Sequence, residues 1–389
     1  MKFAPRAFTG IKKNVVVLSV TSLLTDISSE MLYPIIPIFL TSVLGAPMSI
    51  LGLIEGVAEA AASALKAFSG YISDLFGKRR PFVIGGYFLS TLGKLLLFLA
   101  YSWPFIFLAR VVDRIGKGLR TSPRDAMIAD SCDAEYRGKA FGFHRAMDTI
   151  GACLGPLFAF WLLYVCRDDL RSIFLIAFVP ALLGAGILIF WLKEGPRSTY
   201  REGIYLNVNI GKFSPVFWKF IFISAVFSVG NSSDAFLIMR AKDIGLTTGV
   251  VILAYVVYNI SYSALSIPAG IISDRLSRKT VMVAGYLIFA LVYSGFSAYV
   301  NKATIWPLFF VYGFYIAMTD GVSKAFVADV VEKEVRGTAI GLYYCVTGFA
   351  AFFASLIAGL LWTHIGSSAP FIYGAATAFI SSLAFLLLL

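Results

Sequence analysis

Apolar runs of about 20 residues or more, separated by short polar breaks, fill nearly the whole chain. Twelve of them are expected to be helices, at residues 14–44, 48–72, 81–101, 103–129, 137–164, 171–192, 215–241, 249–273, 280–299, 304–329, 337–362 and 368–389. A helix rises about 1.5 Å per residue and a bilayer's hydrocarbon core is about 30 Å thick, so the longer runs must tilt or kink to fit. Proline removes a backbone donor. Pro34 and Pro37 in the first run, Pro156 in the fifth and Pro268 in the eighth are therefore expected to bend their helices.

The longest polar break, Lys193 to Ser214, contains Glu194-Gly195-Pro196-Arg197 and has no sustained apolar periodicity. It reads as a cytoplasmic linker, 193–214, between two six-helix halves, 1–192 and 215–389. Basic residues divide unevenly between the two sets of loops. With the N-terminus inside, roughly 18 lie on that side, among them Lys78, Arg79, Arg80, Arg137, Lys139, Lys193, Arg275, Arg278 and Lys279. Roughly 5 lie on the other: Arg167, Arg171, Arg240, Lys242 and Lys302. Both termini are thus expected in the cytoplasm, with the chain in a bacterial inner membrane.

Composition agrees. The 389 residues are 59% hydrophobic and 14% charged, with a mean hydropathy of +0.82, which excludes an ordinary soluble domain. A net charge of +11 would suit a nucleic-acid partner, but the cations sit in short loops rather than on one soluble face, so none is expected. Cys132, Cys153, Cys166 and Cys345 form no CxxC pair. The first apolar run is too long for a cleavable signal and carries Asp26 and Glu30, so it reads as a retained helix.

The two halves repeat. Gly70-Tyr-Ile-Ser-Asp74-Leu-Phe-Gly77-Lys78-Arg79-Arg80 returns as Gly270-Ile-Ile-Ser-Asp274-Arg275-Leu276-Ser277-Arg278-Lys279, in which Ser277 stands for Gly77 and Lys279 for an arginine. Farther on, Asp130 matches Asp329, Arg137-Gly138 matches Arg336-Gly337, and Gly142 matches Gly341.

Ionisable groups inside a spanning segment cost several kcal/mol unless they face protein or water, so each is a functional candidate. The first two runs carry Asp26, Glu30, Glu55, Glu59 and Lys66; the fifth carries Arg145 and Asp148. The fourth carries Arg110, Asp113, Arg114, Lys117, Arg120, Arg124 and Asp125, with its cations recurring at three- or four-residue intervals on one helix face. Asn231, Asp234, Asp320 and Lys324 are the second half's share. The sixth, ninth and twelfth runs have no ionisable core residue and the third has only Lys94, as if every third helix faced lipid.

These features resemble the major facilitator superfamily along essentially the whole chain. The Gly70 to Arg80 loop is similar to its signature loop between the second and third helices. The resemblance implies an all-α membrane protein of twelve transmembrane helices, arranged as two six-helix bundles related by pseudo-two-fold symmetry. Gly151-Ala-Cys-Leu-Gly155-Pro156 resembles the glycine-proline motif of the antiporters, though Phe158-Ala159-Phe160 stands where a further glycine pair is usual. Arg110 is similar to the motif arginine of bacterial drug/proton antiporters, with Asp113-Arg114 in place of the usual glutamine and glycine.

Secondary transport by alternating access is the function expected, as proton-coupled efflux of a small drug-like or anionic compound by a monomer. Desolvation favours the neutral form of a carboxylic acid, which makes Asp26, Glu30, Glu55 and Glu59 the proton-coupling candidates. Some of them are alternatively permanent partners of the cations in the fourth run. Arg110, Asp113, Arg114, Lys117, Arg145, Asp148, Asn231, Asp234, Asp320 and Lys324 are the substrate-cavity candidates, with Tyr33, Phe141, Tyr255, Tyr258, Tyr343 and Tyr344 available to line it. Gly70, Asp74, Gly77, Arg79, Arg80, Asp130, Gly270, Asp274, Arg278 and Asp329 are expected at a cytoplasmic gate that holds the halves together. Uptake or exchange of an anionic metabolite or siderophore is the alternative within transport; an intramembrane enzyme or a non-transporting sensor is the alternative outside it. No cofactor or metal is expected: there is no Walker-type loop, and neither His144 nor His364 has a partner at metal-ligand spacing.

Overall fold

The computed structural model describes residues 12–133, 136–194, 213–298, 301–332 and 335–389, apart from the side chains of Ala67 and Asp74. Twelve long helices carry the described chain: α1 (Lys13–Val43), α2 (Met48–Phe76), α3 (Arg80–Phe98), α4 (Trp103–Asp130), α5 (Arg137–Val165), α6 (Leu170–Trp191), α7 (Pro215–Asp243), α8 (Thr248–Arg275), α9 (Arg278–Ser297), α10 (Ile305–Val330), α11 (Arg336–His364) and α12 (Ala369–Leu388). Eleven are long and apolar enough to cross a membrane. The twelfth, α4, has 28 residues but carries the row of charges from Arg110 to Asp125. Residues 195–212 of the expected linker, and Lys2, Arg6 and Lys333 of the basic side, lie outside the described residues.

Two helices are interrupted. Regular structure in α1 stops at Leu32, turns through Tyr33-Pro34, resumes over Ile35–Ile38 and ends in a π turn over Phe39–Val43. Pro34 and Pro37 each lack a backbone donor, which accounts for a break there. Pro156 and Pro268, by contrast, sit inside unbroken helices. Within a bilayer, neighbouring helices, hydroxyl side chains and small local adjustments re-satisfy a carbonyl freed by one proline, so a single missing bond need not end the helix. The break in α7, between Gly230 and Ala235, contains no proline, and the expected helix 215–241 runs across it. Its sequence, Asn231-Ser232-Ser233-Asp234, consists of side chains that compete with the helix for backbone and neighbouring polar groups.

Packing divides the described residues into two compact units, those up to residue 32 with those of 64–194, and those of 33–63 with those from 213 to 389. In the first, α1 packs on α5 and α6, and α3 packs on α4 and α6; in the second, α7 packs on α11 and α12, and α9 packs on α10 and α12. Each neighbour relation recurs six helices later. Glycines set the closest approaches: a Cβ at Gly86 would lie 2.6 Å from the Arg120 Cβ, and one at Gly285 would lie 2.8 Å from the Thr319 Cγ2. Helix α2 joins the first unit through Ser69 Oγ, which donates to the Gly118 carbonyl at 3.0 Å, and through the Lys66 carbonyl, which accepts from Ser122 Oγ at 2.7 Å.

The duplicated loops make the same ion pair twice. Arg79 bonds Asp130 in the first unit and Arg278 bonds Asp329 in the second, with Asp274 also 3.1 Å from Arg278. Arg278 therefore occupies the place of Arg79, which corrects the match with Lys279. The second loop is one residue shorter: Gly70 and Gly270 are 200 apart, whereas Asp130 and Asp329 are 199 apart. Glu194 completes the first loop by accepting the backbone N–H groups of Arg79 and Arg80 at 3.0 and 3.1 Å, which caps α3. Arg80 also donates to the Ile189 carbonyl at 3.0 Å. A Cβ at Gly70 would lie 3.1 Å from the Ser122 Cβ, whereas Gly270 faces open space.

Gly77 has φ +61° and nothing within 4 Å of where its Cβ would be. The cost of Gly77→Ala is therefore conformational rather than steric, about 1–2 kcal/mol. Thermal unfolding in detergent checks this, with a lowered midpoint expected and Gly77→Asn, which tolerates this backbone region better, losing less.

Candidate functional site

In the first unit the charges of α4 meet counter-charges from three neighbouring helices. The Lys94 ammonium on α3, 1% accessible, lies 3.4 Å from an Asp113 carboxylate oxygen and donates to the Ser90 carbonyl at 3.4 Å. Arg110 and Arg114, with Lys94 and Arg120, supply the positive field around Asp113. Arg120 donates to Ser90 Oγ at 3.0 Å, and its guanidinium lies 4.1 Å from the Tyr87 ring centre. Arg124 is held by Asp125 at 2.8 Å and by Ser22 Oγ of α1 at 3.4 Å. Arg120 and Arg124 of the cationic stripe are thus held by residues of their own unit.

Asp26 sits where these elements converge. Asp148 of α5, Arg120 and Lys117 of α4, and Glu30 one turn along α1 are the charges that act on it. Two glycines bring α5 this close: a Cβ on Gly151 would lie 2.9 Å from the Asp26 Cβ, and one on Gly155 would lie 2.8 Å from the Glu30 Cβ. The paired glycines therefore match the paired carboxylates, each to each. On α5 itself His144 Nε2 is 3.6 Å from Asp148. Gly151→Leu forces α1 and α5 apart, and overpacking of this kind costs about 1–3 kcal/mol or more. A fall in melting temperature larger than that of Gly186→Leu, at a position with nothing within 4 Å, is the expected outcome.

The second unit is organised around the break in α7. Asp234 accepts from Tyr258 at 3.2 Å and from Tyr312 at 2.7 Å, while Asn231 donates to the Tyr315 hydroxyl at 2.8 Å. Ser233 Oγ lies 3.3 Å from both a Glu55 carboxylate oxygen and the Tyr33 hydroxyl, and the Ser233 N–H donates to Ser355 Oγ at 3.2 Å. Tyr33 stacks on Tyr255 with ring centres 5.4 Å apart. Side chains thereby take up polar groups that the missing helical turn would have paired. Beside the break a cavity of about 320 Å³ is lined by Asn231, Glu59, Asp320, Tyr286, Tyr315 and Tyr344, with further aromatic and hydroxyl side chains.

A family model described as the Major Facilitator Superfamily matches residues 18–241 and 220–389, which together take in nearly the whole chain. The chain belongs to the major facilitator superfamily. An uncharacterized MFS-type transporter of Methanocaldococcus jannaschii is 39% identical over 379 residues, covering 96% of this chain and 94% of that protein. A multidrug resistance protein, MdtH, of Photorhabdus laumondii is 28% identical over 170 residues, 41% of this chain and 42% of that one. Among solved structures, the nucleoside transporter NupG superposes with a TM-score of 0.80 at 14% identity, covering 96% of this chain and 98% of NupG. A D-xylose-proton symporter superposes with a TM-score of 0.75 at 19% identity, covering 95% and 96%. The fold is that of the superfamily.

This superfamily member is a multi-pass membrane protein and a secondary transporter of small molecules, not an enzyme. Its sequence-derived candidates fall into two groups. Asp26, Glu30, Arg110, Asp113, Arg114, Lys117, Arg145 and Asp148 belong to the first unit, whereas Glu55, Glu59, Asn231, Asp234, Asp320 and Lys324 belong to the second. The Asp74 side chain lies outside the described residues. Lys94, on a helix expected to face lipid, is turned inward onto Asp113. The offset of 199 residues that relates Asp130 to Asp329 could have drawn attention to it: Lys94, Asp113 and Arg120 stand at the positions of Tyr293, Tyr312 and Thr319, so the two halves fill one scaffold with different chemistry.

Proposed function

We propose that this transporter is a proton-coupled exporter of small organic compounds that works by alternating access. It would act as a monomer in the cytoplasmic membrane, with both termini inside, as the distribution of basic loops favours. The observation that carries the reading is Asp26. It is a carboxylate on α1 set among charges of both signs from α4 and α5, so adding or removing one proton changes the balance of a network that spans three helices. Transporter repeats allow such a local change to favour one access state over the other. Asp26 is assigned the proton, with Glu30 as its neighbour on the helix. Glu55 and Glu59 are assigned to the substrate side, and the paired loops at Arg79 and Arg278 to the cytoplasmic gate. The partial similarity to a multidrug resistance protein favours export, as does the Gly151 to Pro156 run that seats Asp26.

The test begins with a thermal-shift screen of the purified protein against drugs, organic anions and metal chelates, because a ligand that binds the folded state stabilises it whatever the transport direction. Counterflow of any hit in proteoliposomes then establishes transport. Accumulation driven by an imposed pH gradient and abolished by a protonophore is the expected result. Equal movement with and without the gradient would remove the proton from the account.

A further inference from the structure

We infer that the cavity of the second unit takes a protonated organic amine carried on an aromatic body. The inference rests on the transport reading above and names its substrate class. Two carboxylates, Asp320 and Glu59, line the cavity, and no lysine or arginine is among its lining residues. With Lys324 paired to Asp320 at 2.9 Å, the two carboxylates still leave one formal negative charge at the cavity, which disfavours an anion and favours a cation. Its walls are aromatic: Phe227 and Tyr286 stack at 4.0 Å, and Tyr315 is tilted against Phe227 at 5.7 Å. An apolar ring is buried against such walls, and their ring faces also favour a cation.

Two further observations bear on the ammonium. The first is that the protein already places one there. Lys324 Nζ lies 2.9 Å from Asp320 and 5.7 Å from the Tyr344 ring centre, and both Asp320 and Tyr344 line the cavity. The Lys324 and Asp320 side chains are 37% and 40% accessible, so the pair is open to exchange with a ligand cation rather than sealed. The second comes from the repeat. In the first unit Arg120 covers the Tyr87 ring. The matching residues of the second unit, 199 positions on, are Thr319 and Tyr286, and both line the cavity. Where the first half supplies its own cation to a tyrosine, the second has a short hydroxyl side chain and a cavity. At about 320 Å³ the cavity is at the small end of ligand pockets, which suits a single-ring amine.

Calorimetric titration of the purified full chain with three isosteres tests the assignment: phenethylamine, 2-phenylethanol and phenylacetate, at about pH 7 where the amine is charged. Phenethylamine is expected to bind at least about tenfold more tightly than the alcohol, with no binding of phenylacetate. Asp320→Asn should remove that advantage and leave the alcohol unaffected. Lys324→Met should tighten amine binding, because the resident competitor is gone; Glu59→Gln provides a second loss variant if Asp320→Asn does not fold. Phenylacetate binding as tightly as the amine, no amine binding to the unmodified protein, or weaker amine binding by Lys324→Met would overturn the proposal. Proton coupling is read separately. Coupled transport of some other compound with no amine binding overturns only the substrate class, whereas amine binding without gradient-driven movement overturns only the coupling.

Discussion

Asp26→Asn is expected to lower gradient-driven accumulation at least about tenfold while counterflow stays within about twofold of the unmodified protein. Asparagine keeps the shape of the protonated acid and removes its titration. The network around position 26 then stays in the balance set by Arg120, Lys117, Asp148 and Glu30, whatever the pH on either side. Exchange needs only that the site be presented alternately, so it survives; accumulation needs the proton to be carried, so it fails. Asp26→Glu keeps the titratable group but pushes it further toward α5, where Gly151 leaves no spare room. Partial coupling with reduced stability is expected there. Measuring accumulation and counterflow in one proteoliposome preparation separates a coupling defect from a folding defect.

Asp113→Ala is expected to destabilise the protein by about 3–5 kcal/mol, the usual result of removing one partner from a buried ion pair. The Lys94 ammonium would be left donating to the Ser90 carbonyl, in a site where it is 1% accessible. Replacing both partners, Lys94→Met with Asp113→Leu, should recover most of that loss, since well-packed apolar residues often replace a buried pair without penalty. The second unit supports this expectation, because Tyr293 and Tyr312 occupy the same two places and their rings stack at 6.3 Å without an ion pair. Denaturation in detergent of the two single variants and the double variant measures the coupling. A single-variant loss below about 1 kcal/mol would mean that the pair is hydrated rather than closed.

Hydropathy alone located the membrane helices because a bilayer forces long apolar runs. It located α4 only indirectly: the charges that disqualify it as an apolar span recur at helical spacing and find partners on α1, α3 and α5. The break in α7 was not legible, since no proline marks it and its cause is tertiary, in partners such as Tyr315, Ser355 and Glu55. Lys94 looked like a stray charge because its partner lies 19 residues away on the next helix. The paired loops were legible as a repeat, but the one-residue difference between them hid the equivalence of Arg79 and Arg278, which the shared ion-pair geometry shows. Residue type identified the candidate site residues. It could not sort them into a charged group in the first unit and a tyrosine-rich group in the second, because that depends on which helices share a unit.

The most direct test of the central claim is accumulation of a transported compound in proteoliposomes under an imposed pH gradient, compared between the unmodified protein and Asp26→Asn with counterflow recorded in the same vesicles. Concentrative movement is expected only for the unmodified protein, with counterflow in both. Equal concentrative movement in both would contradict the claim.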